Sequence, residues 1–113
     1  MAKYADFDIP VEYAGIKFRN PFYVSSGPTT MTVEQLERIQ ETGWGAASLK
    51  LTIDPEPYIN RYPRYGYYAD KNFLSFTAER RLVLADLLKL IEAGRKRAPE
   101  LVLWSNITYS GDE

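Results

Sequence analysis

A chain of 113 residues with 45% hydrophobic and 26% charged side chains has the balance of one soluble globular domain rather than of a disordered segment. Its formal charge of -1 offers no polyanion-binding surface, so nucleic acid is not an expected partner. The absence of cysteine and histidine removes disulfides, thiolate and imidazole metal sites, a thiol nucleophile and the commonest general base.

In chain order, the first signal is a small hairpin from Val11 to Phe18, broken by Ala14-Gly15. Asn20-Pro21 then punctuates the start of a short apolar strand, Phe22-Tyr23-Val24, which opens onto the small polar loop Ser25-Ser26-Gly27-Pro28-Thr29-Thr30. Thr32 and Gln35 have capping-box spacing, Val33, Leu36 and Ile39 form an apolar stripe, and Gly43 stops the first helix. A second strand, Ala46 to Leu51, carries Lys50 near its carboxyl end.

From Thr52 to Ser75 the chain reads as irregular, because Pro55, Pro57 and Pro63 exclude regular helix while Tyr58, Tyr62, Tyr65, Tyr67 and Tyr68 supply aromatic surface. The second helix is expected from about Thr77 to Arg97, with Leu84, Leu87, Leu88 and Ile91 facing the core and Pro99 ending it. Arg95-Lys96-Arg97 is its basic last turn. Leu101 to Ile107 is the third strand. No apolar run approaches the roughly 20 residues that span a bilayer, so no membrane segment is expected and the cytoplasm is the expected location.

Strands alternating with helices call for right-handed crossovers and a parallel α/β sheet whose carboxyl ends share one side. That topology gathers Ser25, Ser26, Lys50, Ser105 and Asn106. Lys50 could simply extend from a strand end into water. An aromatic loop after it and a Ser-Ser-Gly loop beside it favour a functional cation instead, one able to stabilise negative charge developing on a planar heteroaromatic ring. The serines could also serve only local amides. Arg61 and Arg64 could stack on neighbouring tyrosines, and those tyrosines could form a subunit contact, as in a homo-oligomer. Trp44 and Trp104 read as packing residues. Neither the dinucleotide glycine fingerprint nor the phosphate-cradling loop with its lysine occurs.

Gly15-Ile16-Lys17-Phe18-Arg19-Asn20-Pro21-Phe22, Ser25-Ser26-Gly27-Pro28, Thr42-Gly43-Trp44-Gly45, Lys50-Leu51-Thr52 and Pro63-Arg64, in that order, resemble the opening of dihydroorotate dehydrogenases, closest to their dihydropyrimidine dehydrogenase branch. The resemblance runs over positions 15 to 64, with Phe73-Leu74 and the third strand continuing the register. It implies the first three βα units of an FMN-binding (β/α)8 TIM barrel, preceded by a hairpin. The implied activity is oxidation or reduction of the carbon-carbon bond of a dihydroorotate- or dihydropyrimidine-like ring, with hydride passing between substrate and the flavin's central ring nitrogen.

By position, the resemblance puts Ser25, Ser26 and Gly27 beside the flavin and Lys50 against both flavin and substrate. Ser75 stands where relatives commonly carry an asparagine that binds the substrate ring, and Asn106 and Tyr109 replace apolar or small residues, so Ser75 and Asn106 are candidate substrate contacts of altered specificity. A whole barrel needs about 250 residues. The 113 residues are therefore expected to be an amino-terminal part, inactive alone, completed by further sequence or a partner chain, with the general base outside it. A non-catalytic scaffold or interaction module built from the same barrel opening is the alternative, and a flavin-free phosphate-binding barrel enzyme is a third reading.

Overall fold

The computed structural model describes residues 9–54, 65–76 and 81–109. Expected features at Pro55, Pro57, Tyr58, Arg61, Tyr62, Pro63, Arg64 and the first residues of the second helix lie outside the described residues. The elements are β1 (Val11–Tyr13), β2 (Ile16–Phe18), β3 (Tyr23–Val24), α1 (Val33–Glu41), β4 (Ala46–Ser48), β5 (Thr52–Asp54), β6 (Tyr65–Tyr68), β7 (Phe73–Phe76), α2 (Leu84–Arg97), β8 (Val102–Trp104) and β9 (Ile107–Tyr109).

β1 and β2 form the expected antiparallel hairpin, Tyr13 opposite Ile16. Both turn residues have positive φ, 51° at Ala14 and 76° at Gly15, as a two-residue type I′ turn requires. Glycine adopts that conformation freely, but Ala14 holds a Cβ against its own carbonyl. Ala14→Asn is therefore expected to stabilise the fold by up to about 1 kcal/mol, read as a rise in urea midpoint. An unchanged midpoint would show that the turn carries no strain.

The central layer is a parallel sheet in the order β3-β4-β8, with Tyr23 beside Ala46 and Ser48 beside Trp104. Both helices cover one face. Leu36 and Ile39 of α1 and Leu87 and Leu90 of α2 pack into a core with Ala47, Leu49, Ala98 and Leu101. Because successive strand residues alternate in direction, Tyr23, Ala46, Ser48 and Trp104 point to the other face. The β1–β2 hairpin reaches that face through Phe18, which meets Trp104 edge-on at 5.9 Å, while Tyr23 stacks on Trp104 at 5.5 Å. Tyr23 remains 48% exposed, so this face is only partly covered.

α1 begins and ends as its sequence dictates. Thr32 Oγ1 accepts from the Gln35 amide at 3.3 Å and Gln35 Oε1 accepts from the Thr32 amide at 3.1 Å, completing the capping box. At the far end the Trp44 amide donates to Ile39 O and the Gly43 amide to Gln40 O, a Schellman pair around Gly43 at φ 94°. The same corner explains the Asn-Pro and Gly-Trp-Gly segments. Arg19 Nη2 donates to Gln40 O at 2.6 Å and to Trp44 O at 2.8 Å, and the buried Asn20 donates through Nδ2 to Gly43 O at 2.8 Å. These residues clasp the helix end to the amino end of β4, away from the strands' carboxyl ends.

α2 starts at Leu84 rather than near Thr77. The residues just before it are drawn into a ladder: the Leu82 amide donates to Leu51 O at 3.0 Å and the Ile53 amide to Leu82 O at 3.1 Å. The buried face of α2 also differs from the expected stripe, since Leu90 and Gly94 are buried and Leu88 is 58% exposed. Gly94 sets this rotation. A Cβ there would come within 2.9 Å of both Leu36 Cδ1 and Leu103 Cδ1, so the glycine lets α2 approach α1 and β8 closely. The basic last turn is present, and Arg97 crosses to α1 with both oxygens of Glu37 at 2.7 Å and Glu34 at 3.3 Å.

The stretch expected to be irregular is partly regular. β6 and β7 pair antiparallel, Tyr68 opposite Phe73, around a short 3-10 turn at Ala69–Lys71. Asn72 closes that turn in the left-handed region at φ 47°, which asparagine tolerates better than other side chains. Cross-strand aromatic pairing substitutes here for the helix that proline excludes.

Candidate ligand site at the strand ends

The second and third strands do not run straight. Ser48 faces Trp104 in the first ladder, and beyond an interruption Thr52 faces Ile107 in a second parallel ladder, β5 with β9. Three residues, Leu49, Lys50 and Leu51, thus oppose two, Ser105 and Asn106, so the register slips by one as in a β-bulge. Backbone bonds flank the slip: the Leu49 amide to Trp104 O at 2.7 Å and the Thr52 amide to Asn106 O at 2.8 Å. Bulges re-aim side chains, and here the residue at the centre of the slip is Lys50.

Hydrogen bonds gather the three strand ends. The Lys50 amide donates to Thr30 O at 3.2 Å, tying the end of β4 to the loop after β3. Ser26 Oγ donates to Leu49 O at 2.8 Å, and Asn106 Nδ2 donates to Ser26 Oγ at 3.3 Å. A carbonyl can only accept, so the Ser26 hydroxyl proton is spent on Leu49 O and its remaining lone pairs are what Asn106 and a ligand can use. The loop closes on itself through Thr30, whose hydroxyl accepts from the Gly27 amide at 3.3 Å and donates to Gly27 O at 3.2 Å. Gly27 needs no glycine for this turn, since a Cβ there would meet nothing nearer than Ser25 O at 3.9 Å. Its bare Cα leaves room for something else to come close.

Of the candidates, Ser26 and Asn106 are therefore in direct contact, Lys50 is tied to the same loop through its backbone amide and follows the Leu49 carbonyl that Ser26 bonds, and Gly27 sits in the adjoining turn. Ser25 is exposed at the start of the same loop. Ser75 lies on β7 opposite Gly66, exposed, and no described hydrogen bond connects it to the others. Tyr109, on β9, is 76% exposed.

Lys50 is 7% exposed. Leu49, its neighbour, belongs to the helix-side core. Burial, and secondarily the Arg81 guanidinium, hold the Lys50 ammonium below the ordinary lysine range. Arg81 is a neighbour that sequence reasoning missed, because the residue was assigned to the interior of a helix. The signal available was Leu82-Val83, a short β-favouring pair ahead of the leucine stripe.

No family model matches the chain. Over 59 residues, 51% of this chain and 14% of the relative, it is 37% identical to the chloroplastic dihydropyrimidine dehydrogenase (NADP(+)) of Arabidopsis thaliana. Over 43 residues, 38% of this chain and 10% of the relative, it is 37% identical to the NAD-dependent dihydropyrimidine dehydrogenase subunit PreA of Escherichia coli K12. In part of its length, the chain is related to dihydropyrimidine dehydrogenases. The matched stretches span about a seventh and a tenth of those relatives, so the relationship is to one portion of a redox enzyme. Among the described residues no helix is long and apolar enough to cross a membrane.

A second concavity lies elsewhere. An apolar depression of about 240 Å³ opens beneath the β1–β2 hairpin, between Val11, Phe18, Tyr23, Ala46 and Trp104. Its lining is almost wholly carbon, and none of the strand-end candidates contributes to it. It is a poor place for charge transfer and a suitable one for packing further apolar chain.

Proposed function

We propose that the chain supplies part of the flavin and substrate site of an FMN-dependent oxidoreductase acting on a carbon-carbon bond of a dihydroorotate- or dihydropyrimidine-like ring. In this reading the parallel strands are the first units of a (β/α)8 barrel of the dihydropyrimidine dehydrogenase branch. The observation that carries it is the gathering of Ser26, Asn106 and the Lys50 backbone around one loop at the carboxyl ends of parallel strands, the end where such folds bind ligands. The partly covered sheet face and the apolar depression support completion by more chain. One relative is named as a subunit, which supports a partner polypeptide as one source of it.

The residues fit a planar ring with a polar edge. Lys50 offers an ammonium on a largely buried side chain, Ser26 a lone pair, and Gly27 an open approach to the loop backbone. A bound flavin would supply hydride-accepting or hydride-donating chemistry. Lys50 would stabilise negative charge on a ring edge, and Asn106 would hold the Ser26 hydroxyl in one orientation. In this reading the general base is supplied from outside these residues, and the Ser26 proton is engaged with Leu49 O.

The test is a fluorescence titration of the chain with FMN. Saturable quenching is expected, weakened about tenfold or more in Lys50→Met, the loss typical of one charged hydrogen bond. Absence of quenching in the chain assembled with its completing polypeptide would overturn the reading. The exposed aromatic hairpin, with Tyr65 at 67%, Tyr67 at 68% and Phe73 at 55% exposure, favours the second reading, a non-catalytic interaction module. A colourless complete assembly would select it.

A further inference from the structure

We propose that a second copy of this chain covers the sheet face that the helices leave open, seated on an apolar patch centred on Phe22. The inference rests on the preceding reading only in taking that face as one that more chain covers, and it names the chain.

A parallel sheet is ordinarily covered on both faces and is apolar on both. Here the helices cover one face, while Tyr23, Ala46 and Trp104 line the apolar depression on the other. The patch does not stop at the sheet. Phe22 lines that depression and also a second one of about 370 Å³, formed with Ile9, Gly43 and Trp44 where α1 ends and β4 begins. Added strands would cover the sheet face but leave this corner in water. A folded copy covers both at once.

The area fits a dimer. Ile9, Tyr13, Phe22, Tyr23 and Trp44 are each between 39% and 69% exposed. With about 150–250 Å² for a whole aromatic side chain, these residues together present about 500 Å² of apolar surface. Homodimer interfaces are about 65% apolar, so the patch implies about 800 Å² on each copy, the area of a standard stable interface.

The shape fits one as well. A two-fold interface must offer its projection and its recess on the same patch. Phe22, half exposed between the two depressions, is the projection, and each depression exceeds the roughly 150 Å³ that accepts a benzene ring. Among the described residues no charged side chain lines either depression, so two identical patches meet without like charges face to face.

The test is sedimentation equilibrium of the full chain, without flavin, from low micromolar to submillimolar concentration. The mass is expected to rise from 13.0 kDa toward twice that value. Phe22→Asp should weaken the dimer about thirtyfold or more, the loss typical of a central interface residue. Tyr13→Lys, on the exposed hairpin, should weaken it too and probes the patch without touching the backbone bonds around Phe22. Tyr67→Lys, on the separate β6–β7 hairpin, should leave it unchanged. A mass of 13.0 kDa throughout, a dimer undiminished in both Phe22→Asp and Tyr13→Lys, or one lost in Tyr67→Lys would each overturn the proposal. The two ideas fail separately: a monomer that binds FMN keeps the flavin reading alone, and a dimer that binds none keeps this one alone.

Discussion

Gly45→Ala is expected to destabilise the chain by at least about 3 kcal/mol, read as a fall in urea midpoint with the slope unchanged. A Cβ at Gly45 would strike the main-chain carbonyl of Asn20 and lie 2.9 Å from Asn20 Oδ1. Neither atom can move cheaply. The Asn20 side chain is held between the Gly43 carbonyl and the Phe22 amide, and the Phe22 carbonyl itself accepts from the amides of Gly45 and Ala46. Relief would require β4 to separate from β3 at the residues where their ladder begins. Since a domain of this size has only about 5–15 kcal/mol in all, a visible unfolded fraction should appear. A midpoint within error of the parent would mean that the clasp yields, and the tight packing assigned to this corner would be wrong.

Lys50→Met should have the opposite sign on stability while removing ligand affinity. Replacing a partly desolvated ammonium by an apolar side chain of similar length is expected to stabilise the fold, read as a rise in urea midpoint. The pH dependence isolates the cause. Lys50 is held below its unfolded value, so the folded state loses this proton first as pH rises. Between the lowered value and the ordinary lysine range the unfolded chain binds more protons, and stability must increase with pH there. Below the lowered value the full penalty persists. The difference in unfolding free energy between parent and Lys50→Met should therefore shrink as pH approaches 10.5. A difference that stays flat with pH would show that Lys50 is not an electrostatic burden in the folded chain. A stability cost at Lys50 is the result expected where binding, and not packing, decides the residue.

Much of this architecture was written in local patterns. The capping box of Thr32 and Gln35, the Gly43 stop and the Ala14-Gly15 turn each depend on residues a few positions apart, and each forms as its spacing dictates. The parallel pairing of β3, β4 and β8 was also legible, because apolar strands alternating with helix-length connections have the chain length that a parallel crossover needs. The Ser26, Lys50 and Asn106 neighbourhood followed from the same topology.

What local patterns could not convey was set by partners distant in sequence. Leu82 leaves the helical pattern because backbone groups of Leu51 and Ile53 compete for it, which shortens α2 and delivers Arg81 to Lys50. Gly94 turns the helix face away from Leu88 because Leu36 and Leu103 occupy the space a side chain would need. The bulge at Lys50 exists only as a mismatch between two ladders, so neither strand contains it alone. Sequence by itself determined where elements begin, which residue types were available, and which chemistry their absence removed. Tertiary structure decided which of those residues lost water and which charges became neighbours, since desolvation and Coulomb interaction depend on distance in space and not along the chain.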